Sequence, residues 1–362
     1  GIFTWVRARS TNGTTSTASS TRPRIKRVVL ITVDTLRADV LACYGNSTMV
    51  TPSLAGLARN AVLYEQAIAP SPWTRPSIAS LHTGLPPKAH GATAQEIEVE
   101  AILPQTVPTL AELMRDAGYE TAGIGYNAFI AFSPNFKRGF RQFAFFPRTV
   151  SNSEGETIPV DSNVGGLKVH GASLEEMQTA IDTLGTTPVL TQLAVQWLTE
   201  HAQDDFFLWL HYFDPHIPYT PPRDYFCGRV APLLFSDKDY EAWALKLSRM
   251  LDAYLETQRK IQQGTATAEE IQGNAELRVV LEQQQQSLRK LYEAEVEFVD
   301  QAIGEVLRTL DRLGLYDDTL LIVTSDHGEE FWDHENLEHG HSLKQELLRV
   351  PLLIKPPRHR GA

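Results

Sequence analysis

The stretch Val323-Thr324-Ser325-Asp326-His327-Gly328-Glu329-Glu330 continues an apolar run that begins at Thr319. A run without polar alternation reads as a strand buried on both faces, the kind found in parallel sheets covered by helices. This run stops on a carboxylate and an imidazole. Two metal-competent groups then stand at the carboxyl edge of a sheet, where open α/β sheets hold their ligands. Taken alone, the motif is equally readable as a strand-end aspartate capping a turn with a solvated histidine behind it.

The chain carries the same device elsewhere. Arg27-Val28-Val29-Leu30-Ile31-Thr32-Val33-Asp34 is a second apolar run ending on an acid. If the two strands are parallel neighbours, Asp34 and Asp326 meet at one edge. A third run, Phe206 to His211, leads into Tyr212-Phe213-Asp214-Pro215-His216-Ile217-Pro218-Tyr219, where prolines stiffen the loop that carries His216. A fourth, Tyr119 to Gly125, puts Tyr126 and Asn127 at its end. Helices are expected between these runs. One begins at Pro52 behind Thr51 as cap, and others span Val107 to Gly118, Thr191 to Ala202, Ser236 to Gln263 and Ala268 to Leu313. The alternation predicts an α/β fold, with a mostly parallel central sheet sandwiched by helices. Residues 133–187, rich in Gly, Ser, Asn and Pro, are expected to make a long excursion over the sheet edge. Residues 223–275 read as a helical insertion, and Val350 to Ile354 is the last apolar segment.

Ala69-Pro70-Ser71-Pro72-Trp73-Thr74-Arg75-Pro76-Ser77 reads as a rigid loop, followed by a helix from Ile78 that stops at Gly84. A helix N-terminus offers free N–H groups and a partial positive charge, which favours an anion or an ionised hydroxyl at Thr74. An N-cap threonine is the plainer alternative. After Asp326-His327 comes Trp332 to His341, dense in polar ligands and containing His339.

The chain has 362 residues, 42% hydrophobic and 21% charged, enough for one large α/β domain. Its net charge of −11 argues against nucleic acid as a partner, which would call for a basic stripe. An anionic substrate is still compatible, because one metal ion reverses the local field. Cys43 and Cys227 are the two cysteines; two such residues decide neither a disulfide nor a redox compartment. No run of about 18 apolar residues is present. Residues 1–26 read as a flexible tether: Ser/Thr-rich from Thr11, then basic from Arg22. A tether behind a removed signal or membrane anchor upstream of residue 1 suits an exported protein, whether periplasmic, extracellular or membrane-anchored. A cloning boundary would look the same.

Five motifs, in order, resemble the sulfatase branch of the alkaline-phosphatase superfamily. They are Val33-Asp34-Thr35-Leu36-Arg37-Ala38-Asp39, Thr74 to Gly84, Asp214-Pro215-His216-Ile217-Pro218-Tyr219, Ser325-Asp326-His327-Gly328-Glu329, and His339-Gly340 before Leu348-Arg349-Val350-Pro351. The resemblance implies a catalytic domain over residues 27–362. It implies one divalent metal ion (calcium, magnesium, manganese or zinc) held by Asp34, Asp326 and His327, with Thr74 as both nucleophile and ligand. His216 and His339 are then the candidate proton donors. Tyr126, Asn127 and His211 are expected to line the substrate pocket. An anionic ester, sulfated or phosphorylated, is the expected partner.

The departures from the family pattern are informative. Family sulfatases place a cysteine or serine, matured to formylglycine, where this chain has Thr74; the arginine of that maturation motif is replaced by Ile78. Thr35 stands for the second aspartate of the family's pair. Tyr126 and Ala128 stand where a lysine and a histidine are usual. Tyr126 is similar to the phosphonate-monoester hydrolases. A threonine nucleophile resembles the phosphoethanolamine and glycerol-phosphate transferases, whose phosphotransfer to a lipid or glycan is the alternative activity. An inactive binding protein is a further alternative. The chain ends before the small C-terminal subdomain usual in sulfatases, which is expected to be missing or truncated.

Overall fold

A seven-stranded sheet forms the centre of the computed structural model, which describes residues 24–94, 103–131, 133–146, 179–181, 185–222, 225 and 239–358. Its strands are β1 (Arg27–Val33), β2 (Val62–Leu63), β4 (Glu120–Tyr126), β5 (Gln142–Phe146), β6 (Phe206–Tyr212), β7 (Thr319–Ser325) and β11 (Leu352–Lys355). The order is β2-β11-β7-β1-β6-β4-β5. All pairings from β7 through β5 are parallel; β11 and β2 are antiparallel. Among the described residues two small ribbons accompany the sheet: β3 (Ala67–Ile68) with β10 (Arg349–Val350), and β8 (Glu330–Phe331) with β9 (Leu337–Glu338).

The continuous apolar runs follow from two cores, one on each face. From β1, Val29, Ile31 and Val33 enter one core while Val28 and Leu30 enter the other. From β6, Phe206, Leu208, Leu210 and Tyr212 face one way, and Phe207 and Trp209 the other. The first core is closed by the helices Thr186–Glu200 and Gln285–Arg312, the second by Thr74–Thr83 and Leu110–Asp116. A central strand with both faces covered has no position left for polar alternation.

Register fixes the site. Val33 lies opposite both Tyr212 and Ser325, so Asp34, Phe213 and Asp326 leave the sheet together. The Asp34 N–H still donates to the Tyr212 carbonyl, at 2.9 Å.

Several local expectations change. The helix after the Pro-rich loop begins at Thr74 itself, not at Ile78, and ends at Gly84 in the left-handed region. Pro76 sits inside its first turn, where a missing N–H costs nothing. The excursion contains β5, which extends the sheet by an edge strand; 147–178 lie outside the described residues. The helix before β6 starts at Thr186 rather than Thr191. Beyond Asp239–Gln263, the expected single helix is two, Ala268–Gln283 and Gln285–Arg312, divided at Gln284. Thr51 does cap Pro52–Ala58 by position, but its hydroxyl accepts from Ala42 N instead. Residues 1–23 and Cys227 lie outside the described residues. No helix among those described is long and apolar enough to cross a membrane.

Candidate active site

Five side chains converge at the carboxyl edge of β1, β6 and β7: Asp34, Thr74, His211, Asp326 and His327. All are buried. Asp34, His211 and Asp326 each offer a ligand atom, and these atoms lie within 4.8 Å of one another. His327 Nε2 is 3.4 Å from Asp34 Oδ1, 3.4 Å from Asp326 Oδ2 and 3.2 Å from Thr74 Oγ1. The helix N-terminus at Thr74 and the strand end at His327 therefore meet, as the two separate motifs imply.

Hydrogen-bond bookkeeping separates the two histidines. His327 Nδ1 lies 2.9 Å from the Gly328 carbonyl, which can only accept, so the ring hydrogen sits on Nδ1 and Nε2 presents a lone pair. A backbone carbonyl behind one ring nitrogen is the usual support for a metal ligand. His211 has the opposite arrangement. Thr32 Oγ1 accepts from Trp209 Nε1 at 2.9 Å and lies 2.8 Å from His211 Nδ1, to which its own hydrogen can donate. The His211 hydrogen is then on Nε2, facing Asp34 Oδ2 at 3.6 Å. In that tautomer Nε2 can donate to a bound oxygen; in the other it offers a ligand atom beside Asp34 and Asp326.

The donor set fits a divalent cation. Asp34 Oδ1 and Asp326 Oδ2 are buried with no hydrogen-bond partner. The other oxygens are anchored: Asn127 Nδ2 donates to Asp34 Oδ2 at 2.8 Å, and the backbone N–H groups of His327 and Thr35 donate to Asp326 Oδ1 at 2.9 and 3.3 Å. Each carboxylate is thus oriented by one oxygen and unsatisfied at the other, beside a histidine lone pair. Oxygen-rich coordination with one imidazole suits the hard divalent metals and admits zinc. Thr35, between the two carboxylates, has φ of 55°, an uncommon conformation for a β-branched residue. Gly328 is needed at its position because a Cβ there would lie 1.9 Å from the Glu346 carbonyl.

The family model for Sulfatase matches residues 26–362. The chain belongs to the sulfatase family. It is 28% identical to the multifunctional alkaline phosphatase superfamily protein PehA of Trinickia caryophylli, over 93% of this chain and 70% of PehA. It is 26% identical to the iduronate 2-sulfatase of Mus musculus, over 91% of this chain and 59% of that enzyme. Among solved structures, the phosphonate monoester hydrolase of Agrobacterium radiobacter aligns with a TM-score of 0.58 at 22% identity, over 93% of this chain and 69% of that one. Ps i-CgsB aligns with a TM-score of 0.63 at 19% identity, over 93% and 67%. The structural likenesses establish the alkaline-phosphatase type of fold.

Within this sulfatase-family site the two carboxyls ionise very differently. Burial alone would raise Asp34, but the adjacent imidazoles of His216, His211 and His327 outweigh it and hold Asp34 well below the usual carboxylate range. Burial, followed by the neighbouring Asp34 charge, pushes Asp326 up to about 7. Burial also lowers His327, which keeps Nε2 neutral.

Three imidazoles form a row along the pocket. The His327 and His339 ring centroids are 4.4 Å apart, and His339 and His216 are 4.9 Å apart. His216 directs Nδ1 to the Ile217 carbonyl at 2.6 Å and stacks on Phe213. His339 Nδ1 meets Glu329 Oε1 at 2.9 Å, and Tyr219 donates to Glu329 Oε2 at 2.9 Å. Both His216 and His339 consequently turn Nε2 away from these anchors. Burial pushes Glu329 up to about 7 and His339 down. Glu329 and Tyr219 fall inside quoted motifs, yet no role is assigned to them from sequence, because their pairing spans distant loops. Tyr126 lies at the end of β4 against Phe213, 5.2 Å between centroids, one residue from Asn127.

Proposed function

We propose that this chain is a divalent-metal-dependent hydrolase of sulfate or phosphate esters that acts through a covalent ester on Thr74. The observation that carries it is Thr74 Oγ1 at 3.2 Å from His327 Nε2, at the first residue of a ten-residue helix and beside two unsatisfied carboxylate oxygens. Asp34, Asp326 and His327 would hold the metal, with Thr74 as the reacting ligand. Bound there, the ion supplies positive charge that favours the ionised Thr74 hydroxyl and offsets charge on the substrate's non-bridging oxygens.

The chain's own groups account for the remaining steps. Thr74 Oγ1 attacks sulfur or phosphorus, forming one bond to it as the bond to the leaving alcohol breaks. The free N–H groups of the helix that begins at Thr74 face the anion. His211 Nε2–H and Asn127 orient it. His216 or His339, protonated on Nε2, delivers a proton to the leaving oxygen. Glu329, accepting at His339 Nδ1, orients that ring and favours the imidazolium that carries a proton on Nε2. Water then displaces Thr74, releasing the inorganic acid from a monoester or a monoester from a diester, and the same histidine takes the water's proton.

A plain hydroxyl cannot follow the elimination route open to an aldehyde hydrate. The intermediate must be broken by substitution, which phosphoryl esters tolerate better than sulfuryl esters. Phosphate mono- or diesters are therefore expected to outrun sulfate esters. Transfer to an alcohol instead of water would be the same second step with another acceptor. The named activities of PehA's superfamily, the iduronate sulfatase and the phosphonate monoester hydrolase all fall within anionic ester chemistry, which supports this class. The test is intact-protein mass spectrometry after rapid quench with substrate. A phosphoryl or sulfuryl adduct mapping to Thr74 is expected; turnover with the adduct on another residue would reject the mechanism.

A further inference from the structure

A second cavity adjoins the site, and no step above uses it. It measures about 420 Å³ and its walls include Tyr126, Phe213, Asp214, Thr186, Glu295 and Phe298. Among the described residues the lining contains two carboxyls and no basic side chain. Glu295 is 3% exposed; its Oε1 accepts from Thr220 N at 2.6 Å, while Oε2 is buried with no hydrogen-bond partner. Asp214 is fixed by the hydroxyls of Thr186 and Thr187, at 2.9 and 2.5 Å from Oδ2. A buried carboxylate oxygen without a partner is costly unless a cationic or donating group meets it.

We propose that this cavity is a subsite for an organic ammonium group carried by the alcohol part of the ester, a substrate class that deepens, and rests on, the proposed hydrolase reading. The two carboxyls, whose ionised forms call for a counter-charge, set the sign of the ligand as positive. Its size and walls set the type: a bare metal ion would leave most of the volume unfilled, whereas three aromatic residues in the wall suit an alkylammonium group, which aromatic rings attract. Burial raises both Asp214 and Glu295, and the Asp214 charge raises Glu295 further. A cation between them relieves that repulsion.

The cavity is also placed to receive the right end of the substrate. Tyr126 and Phe213, both in its wall, lie 5.2 Å apart by centroid. Phe213 stacks on His216 at 4.5 Å, and His216 is a proposed donor to the leaving oxygen. Asn127, next to Tyr126, holds Asp34. An alcohol whose oxygen lies at His216 therefore has its far end at the aromatic and acidic walls.

The test is calorimetric titration of the metal-loaded protein with choline and with its uncharged carbon isostere. Choline is expected to bind at least about tenfold more tightly, the scale of one desolvated cation–π and ion contact. Glu295→Gln should erase that preference while circular dichroism stays unchanged. Phe298→Leu, which keeps the charge and removes a ring face, should weaken choline but spare the isostere, and it serves if the Glu295 variant does not fold. Equal binding of choline and isostere to the parent protein would overturn the subsite, as would an unchanged choline affinity in both variants. Because binding is read without turnover, a protein that binds choline selectively yet hydrolyses no ester would sink the hydrolase reading and leave the subsite standing.

Discussion

Asp34 and Arg37 both leave the end of β1 and both are buried, but their surroundings are built in opposite ways. Arg37 directs Nε and Nη2 to the two Asp39 oxygens at 2.9 and 2.7 Å, and Nη1 to Asp333 Oδ2 and the Glu329 carbonyl, both at 3.0 Å. Asp34 keeps one oxygen unpaired, and so does Asp326 beside it. Satisfied charge holds structure: Arg37 ties the Asp326–His339 loop to the start of the chain's first crossover. Unsatisfied buried charge is costly and persists where a ligand completes it. The two clusters should therefore respond differently to mutation.

The largest effect belongs to the nucleophile. Thr74→Ala should lower kcat/KM by about 10⁴-fold or more, the scale of losing a covalent nucleophile. Metal content by elemental analysis should be largely kept, since Asp34, Asp326 and His327 remain. Thr74→Ser should recover part of the rate, because only a methyl group is lost. Ester hydrolysis that survives in the alanine variant would remove Thr74 from the mechanism.

Next comes the direct contrast. Asp326→Asn keeps an acceptor for the N–H groups of His327 and Thr35 but removes the charge. Metal affinity should fall by at least about 10²-fold, more than an outer-shell change produces. Metal-free stability should hold or rise, because one of two repelling buried carboxylates is gone. Arg37→Met should do the reverse. It loses charge-assisted bonds and should cost about 2 kcal/mol in urea unfolding, with the stabilisation by added metal retained. If Asp326→Asn unfolds as readily as Arg37→Met, the distinction between the clusters fails.

Asp34, His211 and Asp326 were legible as candidates because each stands at or beside the end of a continuous apolar run. They come from adjacent parallel strands, so a shared edge follows from pattern alone. Thr74 was legible as a hydroxyl near a helix start, but the helix begins four positions earlier than expected because Pro76 reads as loop when it is tolerated in a first turn. Edge strand β5 was hidden: Gln142–Phe146 is short, aromatic and set among turn-forming residues. The division at Gln284 carries no Gly or Pro signal. Least legible were long-range pairings. Nothing local in Glu329 announces His339 and Tyr219, and nothing in Glu295 announces a cavity wall beneath Phe213.

The smallest effect tests a third way of using buried charge. The helix Pro52–Ala58 receives no side-chain cap from Thr51, whose oxygen serves Ala42 N. Its first free N–H groups are met from the far helix: Ser53 N donates to Asp300 Oδ2 at 2.9 Å and Leu54 N to Oδ1 at 2.8 Å. Asp300→Ala should cost about 1 kcal/mol, the usual scale of a lost cap. The pH dependence has a definite sign. Burial raises the Asp300 carboxyl above its ordinary value, against the backbone N–H bonds that lower it. A carboxyl raised on folding contributes stability that is full below its unfolded pKa, about 4, and is lost as pH rises through the folded value. The alanine variant lacks that titration. Its penalty should thus be larger in acid and shrink towards neutral pH, measured by urea midpoints at several pH values. A penalty that grows with pH would mean that the two N–H bonds outweigh desolvation, making Asp300 a charged cap in the same class as the Arg37 cluster.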